Sequence, residues 1–180
     1  WLMASFFVVS IGSSVGIFSM IPLFLVNEME MHRTWANTLI GLSRIFGIVV
    51  LFSSGWITSR FGTRPSMILF LAATASFTLL FGCLRGGAVT PVVMFLQAAS
   101  VACLFPVGFT VISLLFPMEV RGIAVSLVML VGFVLGAGIL PSAIGHWAEA
   151  FSFSSAFILF GVLCLFLVPV FFRAGRRMEV

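Results

Sequence analysis

Six apolar runs of about 20 residues, parted by short polar breaks, account for nearly all of this 180-residue chain. A helix needs about 20 apolar residues to cross the roughly 30 Å hydrocarbon core of a bilayer. The runs cover 2–26, 35–58, 66–84, 90–116, 121–145 and 154–172. The breaks, such as 27–34 and 59–65, are too short to fold as soluble modules. No run alternates polar and apolar residues as a barrel strand would, and backbone groups in lipid must find their partners within the segment. The sequence therefore predicts an all-α, polytopic membrane protein, with six transmembrane helices forming a single domain over 1–180 in a lipid bilayer.

Composition removes other classes. Only 8% of the residues are charged, against roughly 25% in a soluble domain. The formal charge of +4 comes from nine Arg and five Glu scattered over several breaks, with no basic stripe, so no nucleic-acid partner is expected. Cys83, Cys103 and Cys164 are odd in number and far apart, which argues against both a disulfide framework and a metal site. His32 and His146 belong to no HExxH motif, and no GxSxG elbow is present. Neither catalytic residues, nor a metal, nor a cofactor is expected, and the chain does not read as an enzyme. Apolar sequence starts at Trp1 without a charged leader, so the expectation is a piece of a longer protein.

Arginines concentrate on the cytoplasmic side of membrane proteins. With both termini placed there, the inner breaks hold Arg60, Arg64, Arg121, Arg173, Arg176 and Arg177. The outer breaks hold only Arg33 and Arg85, beside Glu28, Glu30 and Glu149. Both ends are expected to face the cytoplasm.

Arg44 remains, inside the second span. At 1.5 Å per residue it lies roughly 14 Å below the outer end of that span. An arginine at mid-membrane costs about 2.5–3.5 kcal/mol even on insertion scales, and such charges usually face a bundle interior or a watery cavity. At 100° per residue, Asn37, Gly41, Arg44, Gly55 and Ser59 share one stripe, interrupted by Ile48 and Leu51. Asn37, Gly41 and Arg44 are therefore candidate substrate contacts. The alternative is a structural arginine that donates to helix-end carbonyls or pairs with an acid elsewhere. No Glu of this chain lies deep enough in a span to serve, so the counter-charge is expected on a ligand or another segment.

Gln97 forms a second polar stripe with Thr90, Ser100 and Gly108. It reads either as a substrate contact or as a tie between two helices. Gly12 with Gly16, and Gly132 with Gly136, form two GxxxG pairs, which let helices pack closely and could also form a sliding surface.

The break after the second span begins at Gly55 and runs through Ser59, Arg60, Gly62 and Arg64 to Pro65. It resembles the signature loop of the major facilitator superfamily, G-x-x-x-D-[RK]-x-G-[RK]-[RK]. Gly55, Arg60, Gly62 and Arg64 match; Ser59 stands where the acid belongs, and Thr63 replaces the first of the final basic pair. In that family the loop joins helices two and three, with a degenerate copy between helices eight and nine. The resemblance therefore implies the C-terminal half, helices seven to twelve, with the N-terminal six-helix half as a missing partner. It further implies a secondary transporter in which a small solute binds between the halves and rocking alternates access. Arg44 and Gln97 would then lie on the cavity-lining helices eight and ten. The absent acid at Ser59 sets the gating role of the loop apart from the family pattern. A lone arginine without an acid favours a small organic anion, and a prokaryotic inner membrane is the expected location. The rival class is a self-contained six-helix channel.

Overall fold

The computed structural model describes residues 1–175 and consists of six long helices. They are α1 (Leu2–Asn27), α2 (Arg33–Phe61), α3 (Thr63–Cys83), α4 (Val89–Leu115), α5 (Met118–Ala150) and α6 (Phe153–Gly175). Arg176 and Arg177, counted above as cytoplasmic charges, lie outside the described residues. All six helices are long and apolar enough to cross a membrane.

Most of the helices run past the expected ends. α2 starts at Arg33 rather than 35 and ends at Phe61 rather than 58. Hydropathy finds where the apolar run stops, but the helix continues until something replaces its next hydrogen bond. At the start of α2, His32 accepts from the Thr34 N–H at 3.4 Å. At its end Gly62 takes a φ of 88°, which a side chain would resist, and α3 begins on the next residue. The break over 59–65 thus shrinks to one residue outside helix.

The prolines leave their helices unbroken. Pro22, Pro106 and Pro169 lie within helical segments. α1 and α5 instead each contain a π-helical stretch, Gly12–Ile17 and Phe133–Ile139, upstream of Pro22 and Pro141. A proline ring clashes with the carbonyl four residues earlier, and for Pro141 that residue, Ala137, lies within the widened turn.

Packing follows the small residues. α1 and α5 cross at their π stretches, where a Cβ on Gly136 would stand 2.7 Å from the Gly12 nitrogen and 2.7 Å from the Val8 oxygen. α2 lies against α4, where a Cβ on Gly47 would approach the Ala98 carbonyl oxygen to 3.1 Å. α3 lies antiparallel to α6 through Gly82 beside Ser154 and Gly161 beside Leu79. Phe24, Phe81 and Phe157 join α1, α3 and α6, with ring centroids 5.1 to 5.9 Å apart.

Burial is uneven. The most apolar stretches of α1 and α4 are 61% and 56% buried, whereas those of α2 and α5 are only 17% buried. α1 and α4 are therefore the centre of the bundle, and α2 and α5 its open flanks.

Candidate functional site

Arg44 lies eleven residues after the first residue of α2, ~17 Å along the helix axis. Its guanidinium reaches across to the π-helical stretch of α1. Nη2 donates to the Ser14 carbonyl oxygen at 2.6 Å, and Nη1 approaches the Ser14 hydroxyl at 3.5 Å. The charged carbon stands 3.7 Å from the centroid of the Phe18 ring, where the negative face of the ring attracts a cation. A π turn is a place where a side chain can enter the ladder of backbone hydrogen bonds. One edge and one face of the guanidinium are thus held, and further N–H donors remain.

Arg44 also borders a cavity of about 290 Å³ between α1, α2 and α4. Ser14 and Arg44 stand at one end, Gly47 and Ala98 flank the middle, and Leu51 and Phe105 stand toward the other end. Asn37, Gly41, Gly55 and Ser59 are all exposed along the open flank of α2, and neither Gly41 nor Gly55 has an atom within 4 Å of a would-be Cβ. None of these four lines the Arg44 cavity.

Gln97 is not brought to Arg44. It is 2% exposed, and its Nε2 donates to the Thr78 hydroxyl of α3 at 3.3 Å. The polar face of α4 therefore turns toward α3, while Ala98, Val101, Ala102 and Phe105 turn toward the cavity. Gln97 here joins two helices, the second of its two readings.

The loop motif resolves into separate contacts. Arg60 lies over the Trp56 ring at 5.5 Å, and the Ser59 hydroxyl donates to the Trp56 carbonyl at 2.9 Å. Arg64 donates to the Phe172 carbonyl at 2.9 Å and so ties the start of α3 to the last turns of α6. Arg121 does similar work between α4 and α5, donating to the Ser113 carbonyl at 2.7 Å.

Sequence reasoning missed Ser14, Phe18 and Glu28. Glu28, just past the end of α1, accepts from the Phe153 N–H, and from the Ser154 N–H at 3.1 Å and hydroxyl at 2.6 Å. It thus caps α6, which starts 125 residues later. The signal for Ser14 was its place between Gly12 and Gly16, a pair read only as a packing or sliding surface. Among the described residues, no group of three or more His, Cys, Asp or Glu could hold a metal ion.

Six membrane-length helices, of which α1 and α4 are the most buried, with the Arg44 cation held at mid-span, define a polytopic integral membrane protein. A family model described as Major Facilitator Superfamily matches residues 1–179. The chain belongs to the major facilitator superfamily, a family of membrane transporters, as the loop after α2 had suggested. No match was found among curated proteins.

Proposed function

We propose that this chain is the C-terminal half of a secondary transporter that moves a small organic anion by alternating access, with Arg44 as the anion-binding residue. The observation that carries this reading is the state of the Arg44 guanidinium. It is fixed by a backbone carbonyl and an aromatic face, its contacts include no carboxylate, and it borders a cavity. A charge kept at mid-span without a counter-charge is costly unless a ligand supplies one. A guanidinium offers the two parallel donors that a carboxylate accepts.

The uneven burial supports a second half. Gly41 and Gly55 on α2, and Gly122 and Gly145 on α5, face open space. Small residues on exposed membrane helices suit the close approach of another helix. An N-terminal six-helix half packed on these flanks would close the far side of the cavity. The surplus of arginine in the breaks on one side supports a topology with both termini in the cytoplasm, and a prokaryotic inner membrane is the proposed location.

The test is uptake of labelled organic anions into proteoliposomes holding the complete transporter. Arg44→Ala is expected to abolish uptake. Arg44→Lys, which keeps the charge but loses the fork, is expected to cut it at least tenfold. Unchanged uptake of every anion by both variants, at equal protein in the membrane, refutes the assignment.

A further inference from the structure

We infer that the Arg44 cavity selects a singly charged, amphipathic anion, with one carboxylate-like head on a compact apolar body, over dianions and inorganic phosphate. This rests on the anion reading of Arg44 above and adds the rest of the ligand. Arg44 is the only charged side chain among the residues that line the cavity, and Ser14 brings the only hydroxyl. Everything beyond them is apolar.

The distribution is directional. Ile48 and Leu51 follow Arg44 by one and two turns of α2, about 6 and 10 Å along its axis. α4 runs parallel to α2 here, since Gly47 lies against Ala98, and the Cys103 thiol lies 3.8 Å from the Val50 carbonyl oxygen. Val101 and Phe105 therefore continue the apolar wall in the same direction as Ile48 and Leu51. Phe105 ends it and is itself supported edge-on by Phe7 at 6.3 Å between centroids. Gly47, Ala98 and Ala102 bring α2 and α4 together at the floor of the cavity and add no polar side chain to it.

A ligand with its head on Arg44 thus lays its body along a wall on which the described residues offer no donor for a second charge. The first carboxylate gains a charge-assisted pair. A second one, some ångströms away, would lose its hydration and find nothing in exchange. Selectivity then comes from rejecting the dianion rather than from extra attraction to the monoanion. The same logic disfavours phosphate, which brings more charge and no apolar body to repay burial in this channel.

The test uses the complete transporter, purified in detergent, and measures binding of matched pairs, benzoate with phthalate and butyrate with succinate, and of acetate and inorganic phosphate alone. Benzoate is expected to bind at least tenfold more tightly than acetate, and phthalate at least tenfold more weakly than benzoate. Ile48→Arg, which places a second cation one turn along the channel, should reverse the benzoate–phthalate order. Phe105→Ala should shift preference from benzoate toward 4-tert-butylbenzoate. If phthalate, succinate or phosphate binds as well as the monoanions while Arg44→Ala abolishes binding, the inference fails and the anion reading stands. If binding of every anion is the same in wild type and Arg44→Ala, both fail. Failure of every monocarboxylate to bind, or an unchanged order in both channel variants, also overturns the inference.

Discussion

A carboxylate just past the last turn of a helix faces the negative end of that helix's own dipole. Glu28 occupies this position on α1, so its benefit must come from elsewhere, and it comes from the N–H groups at the start of α6. Arg121 shows the same logic with opposite sign, spending its donors on the last carbonyls of α4. Replacing Glu28 by alanine should lower the stability of the folded bundle by about 1–3 kcal/mol, the range for lost helix caps and charged hydrogen bonds. Glu28→Gln should lose less, because an amide oxygen still accepts one bond. Thermal unfolding in micelles checks the order, and equal midpoints for all three proteins would deny the cap its role. At this scale the sequence was only partly legible. Arg44 stood out because a charge in an apolar run is conspicuous, but its partner is a backbone oxygen, which every residue has and no pattern marks. Gln97 and Arg44 both looked available, and only the packed bundle shows α4 turning Gln97 to Thr78 of α3 while Arg44 of α2 reaches Ser14 of α1 beside the cavity.

Among the helices, run length was enough to count and roughly bound all six, because a membrane span has a fixed thickness to cross. Their ends were not legible to the residue. Helices continue into polar sequence until a cap intervenes, as Gly62 does between α2 and α3. The glycine pairs were visible as pairs, but their pairing with one another was not, since it depends on which helices are neighbours. The crossing of α1 and α5 allows a sharp comparison. A Cβ at Gly136 meets backbone atoms at 2.7 Å, and these cannot swing aside as a side chain would, whereas one at Gly145 meets nothing within 4 Å. Gly136→Ala should therefore push the two helices apart and cost on the order of 1–3 kcal/mol, while Gly145→Ala should leave stability of the bundle nearly unchanged. Chemical denaturation of both variants in the same detergent tests this, and similar losses in the two would contradict it.

For the molecule as a whole, span count, six-helix architecture and family were legible in the spacing of the breaks and in the loop from Gly55 to Pro65. Orientation was proposed from arginine placement, and it has a direct check. Single cysteines in an otherwise cysteine-free protein, at Glu30 and at Thr63, should label from opposite sides of a sealed membrane. An impermeant maleimide added outside intact cells should reach the Glu30 position and miss the Thr63 position until the membrane is opened. The reverse pattern would invert the topology. How the six helices share their burial was not legible, because α2 and α5 are as greasy as α1 and α4. Their openness appears only when the neighbours are in place.

The two π stretches meet at one level of the bundle, and this bears on how such a sequence can change. A π turn holds about one residue more than an α turn, and one residue is about 100° of rotation. Losing a single residue from Gly12–Ile17 would swing one half of α1 by more than a quarter turn relative to the other. Phe6 and Phe7 could then no longer face Gly108 while Ser14 still met Arg44. The parallel helix α5 carries the matching surplus in Phe133–Ile139, so the two surplus residues hold one another in register. A shortened α1 would fit only beside an α5 shortened at the same depth, and insertions or deletions here should be inherited as couples.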